Sequence, residues 1–170
     1  MDKFTDYIFD IVQNSIKSQA TSLDIIIKIK NKLCLIIKDN GQGMTKKTKK
    51  LIISPFYTTQ RTRHIGLGLP LIILLTKQTR GHYTITSRVN HGTTVKFIFD
   101  HTHLDFPSVG DYGLLIADIA CHQQLEHFSF IYQFQNKHFI WHYQQQDRDH
   151  IVHMINKNIE RIEDTYENIG

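Results

Sequence analysis

Apolar residues along the chain follow two different rhythms. Phe4, Ile8, Ile11, Val12 and Ile16 recur three or four residues apart. That spacing lines one side of an α-helix and predicts a helix over residues 2–19. Residues 23–30 (LDIIIKIK) and 33–38 (LCLIIK) are rich in β-branched side chains and predict two strands, with Lys30, Asn31 and Lys32 turning between them. The run DNGQGM from Asp39 to Met44 then ends the strand. Residues 44–63 are polar and basic with one short apolar patch (Leu51, Ile52 and Ile53), and Ser54-Pro55 interrupts them. A helix is predicted from about Gly66 to Gln78, where Pro70 is tolerable because it falls in the first turn. Gly81 stands where a helix stop would fall. Residues 82–88 and 93–99 alternate like a hairpin with Asn90, His91 and Gly92 at its tip.

Beyond Asp100 the pattern changes. Residues 101–113 are irregular and carry Pro107, Gly110 and Gly113. A helix is predicted over 114–126 and a second hairpin over 128–143, turning at Gln135, Asn136 and Lys137. A last helix is predicted over 149–166, with Ile151, Ile155, Ile159 and Ile162 on one face. No internal repeat interrupts this order. The stretch 44–63 is too long for a routine connection, and loops of that length in compact domains are usually functional lids or disordered.

The chain has 170 residues, is 41% hydrophobic and has a mean hydropathy of -0.30. That is enough to bury a core. No apolar run approaches the ~20 residues of a membrane span, and Asp2, Asp6 and Asp10 interrupt any signal-peptide pattern. The two cysteines, Cys34 and Cys121, are too few for a disulfide scaffold or a four-cysteine zinc site. A cytoplasmic protein is expected. The net charge of +4 conceals a split. Residues 1–100 hold 16 Lys and Arg against 6 Asp and no Glu, whereas residues 101–170 hold 4 Lys and Arg against 10 Asp and Glu. The division points to two modules, 1–100 and 101–170. The basic half suits a polyanionic ligand such as a nucleotide or nucleic acid, or is simply a solvated basic face.

Four short elements stand in order: DIVQNSIKSQA from Asp10 on the first helix, DNGQGM from Asp39 after a strand, IGLGL from Ile65 where a helix opens, and GTT from Gly92 at a hairpin exit. In this order, and with PFYTT at 55–59, residues 4–100 resemble the GHKL ATP-binding superfamily. That group spans gyrase-type topoisomerases, heat-shock chaperones, histidine kinases and MutL proteins. The resemblance implies a histidine-kinase-like ATPase domain in standalone form. It implies an α+β fold, a two-layer α/β sandwich of Bergerat type with a mixed sheet covered by helices. The lid would span 44–65, and residues 101–170 would form a small helix–hairpin–helix appendage.

The resemblance also implies roles for residues. Asn14 would hold the Mg²⁺ that bridges the triphosphate, as an amide oxygen suits a hard cation. Asp39 would accept the adenine amino group, with Gly41, Gly43 and Met44 letting the backbone pass close to the base. Gly66, Leu67, Gly68 and Leu69 open a helix whose free N–H groups favour phosphate. Thr93 would help hold the adenine end. Arg61 and Arg63, just before the glycine box, could reach the phosphates; the clustered lysines 46, 47, 49 and 50 read as a solvated helix face. His64 replaces the first glycine of the histidine-kinase box.

Turnover is less plainly written. Hydrolysing members of the superfamily carry a glutamate four residues before the helix asparagine; here that position is Asp10. A carboxylate shorter by one methylene sits ~1 Å from the ideal place, and such misplacement can cost ~100-fold in rate. Asp10 as general base and Asp10 as an organiser of water around Mg²⁺ both stay open. Lys17 stands where many hydrolysing members have an acid. Only three residues precede Phe4, so a complete sensor kinase with its own phosphoacceptor helix is not expected. ATP and Mg²⁺ are the expected ligands, with a protein partner engaging residues 101–170 and no membrane contact. Three activities follow: a nucleotide-dependent switch or weak ATPase, a kinase acting on a separate partner, and a nucleic-acid module. The last is disfavoured because no aromatic row accompanies the basic residues of 44–65. Eight of the eleven histidines lie beyond residue 100, but His138/His142 and His150/His153 lack a fixed acidic or cysteine ligand. The aromatic residues of 128–143 read as hairpin core or partner surface. HLDFPSVGD with the elements after it resembles the tail of small standalone GHKL proteins found beside iron-hydrogenase genes in anaerobic bacteria, a likeness that assigns no activity.

Overall fold

The computed structural model describes residues 2–53, 68–144 and 146–167. Its elements are α1 (Phe4–Lys17), β1 (Ser22–Ile29), β2 (Leu33–Asp39), α2 (Lys46–Ile53), α3 (Gly68–Gln78), β3 (His82–Ser87), β4 (Thr93–Phe99), α4 (Tyr112–Ala120), β5 (His127–Phe134), β6 (Lys137–His142) and α5 (Arg148–Glu167). The six strands form one sheet in the order β3-β4-β2-β1-β5-β6. β5 runs parallel to β1 and every other pair is antiparallel. Residues from both sides of residue 100 therefore share a single sheet.

Register puts the apolar residues of neighbouring strands side by side. Leu35 pairs with Ile27 on one side and Phe97 on the other, and Ile25 pairs with Phe130. All five are fully buried. Because side chains alternate across a strand, Asp24, Ile26, Cys34 and Ile36 fall on the opposite, half-buried face. Helices pack on the first face: α1 contributes Phe4, Ile8, Ile11 and Val12, and α5 contributes Ile151, Ile155, Ile159 and Ile162. Each such side chain stabilises the fold by about 1.5–3 kcal/mol. The result is the expected α+β two-layer sandwich with a mixed sheet.

Local chemistry sets the element ends. Asp6 accepts the Lys3 amide at 3.1 Å at the start of α1, and its charge there suits the helix dipole. α1 closes with the Ser18 amide on Asn14 O and with Gln19 at a φ of 61°. The predicted basic stretch contains a real helix, α2, whose Ile52 is buried and whose Lys49 Nζ donates to Ile85 O at 3.1 Å. The predicted hairpin turns occur at Asn90 and Gly92 and at Gln135, all with positive φ.

One helix differs from the sequence expectation at both ends, and at its C-terminus by six residues. The helix expected over 114–126 starts at Tyr112, because Asp111 caps it by accepting the Leu114 amide at 2.9 Å. It stops at Ala120. Leu125 is buried instead in a turn, and the Glu126 and His127 amides both donate to Thr21 O, which draws the chain into the sheet beside β1. Of the aromatic residues in the second hairpin, Phe128, Phe130, Tyr132 and Trp141 are core and Tyr143 is exposed. Asn156 of α5 joins that helix to the start of α4, accepting from the Gly113 amide and donating to Asp111 Oδ1, both at 2.9 Å.

Candidate functional site

A cleft of about 260 Å³ opens between α1, the ends of β2 and β4, and the Gln42–Met44 loop. Its walls are mainly apolar: Ile11, Ile37, Ile52, Leu69 and Val95 all line it and are buried or nearly so. Apolar walls with few polar groups suit a flat organic ligand.

Asp39 is the polar centre of this cleft. It terminates β2 on the buried face and is only 9% exposed. Its Oδ1 accepts the Gly41 amide at 2.9 Å and the Thr93 amide at 3.1 Å. Its Oδ2 accepts Ser15 Oγ at 2.8 Å. A carboxylate has about four acceptor positions, so three internal donors fix its orientation and leave about one for a ligand. The register explains the arrangement, since Asp39 pairs with Thr93 across β2 and β4.

Asn14, Gly43, Met44, Leu69 and Thr93 line the same cleft. Gly43 has a φ of +64°, and a Cβ there would lie 2.1 Å from the Arg88 carbonyl oxygen. Only glycine fits that position without strain. Gly41 is buried against Ser18 beside the cleft. Gly68 is the first residue of α3 and faces α1, where a Cβ would lie 2.5 Å from Asp10 Cβ and 3.2 Å from Asp10 Oδ2. The missing side chain lets the α3 N-terminus approach Asp10. Asp10 itself lines a neighbouring cleft with Asp6, Phe9 and Asp118 rather than the cleft around Asp39. Arg61, Arg63, Gly66 and Leu67 lie outside the described residues.

Two contributors, Ser15 and Ser87, had no signal of their own in the sequence. Ser15 follows Asn14 and was read only as part of α1. Ser87 accepts the Met44 amide at 2.8 Å and contacts Thr93 Oγ1 at 2.9 Å, fixing both cleft residues to β3. Lys17, which stands where many hydrolysing members have an acid, also lines the cleft. The donor set also bears on a metal. Among the described residues no three His, Cys, Asp or Glu side chains converge. The Asn14 amide oxygen is a hard donor that lines the cleft, which fits Mg²⁺ held by few protein ligands and completed by phosphate and water.

Comparisons with known proteins bear on the family and the fold. A family model described as "Histidine kinase-, DNA gyrase B-, and HSP90-like ATPase" matches residues 2–103. A putative sensor protein of Shewanella frigidimarina is 34% identical over 97 residues, 54% of this chain and 15% of that protein. The sensor protein kinase GraS of Staphylococcus aureus is 35% identical over 98 residues, 54% of this chain and 28% of that protein. The chain thus matches less than a third of the length of either relative. Among solved structures, the N-terminal domain of a DNA repair protein superposes with a TM-score of 0.58 at 15% identity, covering 86% of this chain and 54% of that one. That likeness concerns the fold.

Proposed function

The chain belongs to the family of histidine kinase-, DNA gyrase B- and HSP90-like ATPases, and from that premise we propose that it binds Mg-ATP in the cleft around Asp39 and acts as a nucleotide-dependent switch or weak ATPase on a protein partner. The observation that carries this reading is the buried Asp39 carboxylate, held by three internal donors in an apolar cleft with acceptor capacity left over. An adenine ring satisfies both features at once: its faces bury against Ile37, Ile52 and Val95, and its amino group donates to Asp39.

The other residues take roles consistent with that pose. Gly41, Gly43 and Met44 pass beside the base, and Thr93 holds the adenine end. Asn14 holds Mg²⁺, which when bound neutralises charge on the triphosphate. Gly66, Leu67, Gly68 and Leu69 hold the phosphates, a role that the free N–H groups at the start of α3, at Gly68 and Leu69, suit. Arg61 and Arg63 add charge from the lid. Asp10, against Gly68, is near enough to that end to orient water.

Residues 101–170 form the partner-facing part and carry the chain's excess of acids. No helix among the described residues is long and apolar enough to cross a membrane. Neither cysteine is in a disulfide, which suits a reducing compartment.

A second reading, phosphoryl transfer to a separate partner, is favoured by relatives that are sensor kinases. Titration of the purified chain with ATP and Mg²⁺, followed by assay of ADP release and of labelled γ-phosphate on protein, tests both. ADP without phosphoprotein supports the switch or ATPase, labelled partner protein supports the kinase, and no ATP binding overturns both.

A further inference from the structure

The turn between α1 and β1 is gripped from two sides. On one side is the loop after β2: the Gln42 amide donates to Ser18 O at 2.9 Å, Gln42 Nε2 donates to Gln19 Oε1 at 2.9 Å, and Asn40 Oδ1 accepts the Thr21 and Ser22 amides at 2.9 Å. On the other side is the segment joining α4 to β5. Gln124 Nε2 donates to Ile16 O at 2.8 Å and to Ala20 O at 2.9 Å. The Glu126 and His127 amides donate to Thr21 O at 2.8 and 3.0 Å.

The last carbonyls of a helix have no donor within the helix. Here Ile16 O accepts the Gln19 amide at 3.0 Å and takes a second donor from Gln124, a side chain more than a hundred residues away, at the end of the helix that carries Asn14 and Ser15 and closes at Ser18. That end also packs closely against the loop after β2. A Cβ at Gly41 would lie 2.1 Å from Ser18 Oγ, and Ser15 must stay 2.8 Å from Asp39. A shift of the turn therefore moves α1 and the Asp39–Gly43 loop together.

We infer that Gln124 is a positioning residue for the cleft, and that residues 122–127 couple the C-terminal strands to its occupancy. The inference rests on the reading of the cleft as an ATP site. Coupling of this kind is reciprocal. ATP binding tightens the 122–127 segment, and a partner that engages the C-terminal strands changes ATP affinity through it.

The test uses the full chain and Mg-ATP. Gln124→Met keeps length and removes the donor, Gln124→Lys keeps a donor, and Gln123→Met is a neighbouring control. Calorimetric titration is expected to show ATP binding weakened about 3- to 10-fold in Gln124→Met. Gln124→Lys and the control are expected to stay within about twofold of the parent. Hydrogen exchange on the parent chain is expected to show ATP-induced protection across 122–134, lost in Gln124→Met. Unchanged affinity in Gln124→Met, equal weakening in Gln124→Lys, or no ATP-induced protection in the parent would each overturn the inference. The parent measurement stands even where a variant fails to fold. Absence of ATP binding by the parent, or an Asp39→Asn variant that binds as well as the parent, would overturn the underlying reading of the cleft as well.

Discussion

Ser15 on α1 donates its hydroxyl to Asp39 Oδ2 at the end of β2, 2.8 Å away, and both side chains are buried. The bond ties the helix wall of the cleft to its polar centre. A hydrogen bond to a charged group is worth about 1.5–3 kcal/mol, and its loss leaves Asp39 freer to rotate. Ser15→Ala is expected to bind ATP about 5- to 10-fold more weakly and to lose roughly 1–2 kcal/mol of stability. Calorimetry and urea denaturation read both; a variant with parental affinity would show that the bond only supports the fold.

Asp39→Asn exchanges an acceptor for an amide. The single remaining oxygen can satisfy the Gly41 and Thr93 amides, as Oδ1 does now. The new NH₂ then occupies the side left for the ligand and presents a donor to a donor. ATP affinity is expected to fall by roughly 10- to 100-fold, the range for a lost hydrogen bond to a charged group. Titration with Mg-ATP checks it, and circular dichroism confirms that the sheet is intact.

Asp10 lies beside Gly68 and outside the lining of the cleft. Removing its carboxylate should therefore separate binding from turnover. Asp10→Ala is expected to keep ATP affinity within about threefold while losing any ADP release by about 100-fold or more. Turnover that survives at the parental rate would exclude Asp10 as the base.

Gly43→Ala meets two obstacles, a left-handed φ of +64° and a Cβ 2.1 Å from the Arg88 carbonyl oxygen. The neighbour is backbone and cannot rotate away. A loss of roughly 1–3 kcal/mol is expected, together with weaker ATP binding because Met44 shifts with the loop. Chemical denaturation with and without ATP measures the two effects separately.

Tyr132 donates its hydroxyl to Glu163, and Tyr112 packs against Tyr132 with ring centroids 5.7 Å apart. Burial raises the pKa of both hydroxyls well above the usual tyrosine value. The bond to Glu163 adds to the shift at Tyr132, and the charge of Glu163 adds to it at Tyr112. The folded chain thus holds these protons more tightly than the unfolded one. The resulting stability is fully present below about pH 10, where free tyrosine ionises, and is lost as pH rises beyond it. Denaturation midpoints are expected to hold to about pH 9 and fall by about pH 11. The Tyr112 hydroxyl has no hydrogen-bond partner among the described residues. Tyr112→Phe should accordingly cost nothing at neutral pH and make the alkaline decline shallower.

Much of the fold is legible along the chain because its signals are local. Ile8, Ile11 and Val12 mark one face of α1 by spacing alone, and the β-branched run at Ile25–Ile27 marks a strand without reference to its neighbours. Asp39, Gly41 and Gly43 read alone as an ordinary turn after a strand, and stand out only in order with the IGLGL and GTT segments that follow. Asn14 stands out only in company with them. Ser15 carries no such mark, because a serine in a helix reveals nothing of the carboxylate it will meet on another element. The end of α4 is also illegible, since Cys121–Glu126 has no helix breaker and leaves helical geometry only under the pull of Thr21 O.

By itself, then, the amino-acid order determined the elements, the ATPase-family pattern of residues 4–100 and the residues expected to meet a nucleotide. The elements depend on periodicity and on backbone chemistry within a few positions, whereas the nucleotide residues follow from the resemblance of residues 4–100 to the ATPase family. The tertiary structure alone decided that β5 would pair with β1, that Ser15 would hold Asp39, that Asp10 would lie against Gly68, and that Gln124 would close the end of α1. Each is a contact between distant parts of the chain, and its geometry exists only once burial and sheet register have brought those parts together.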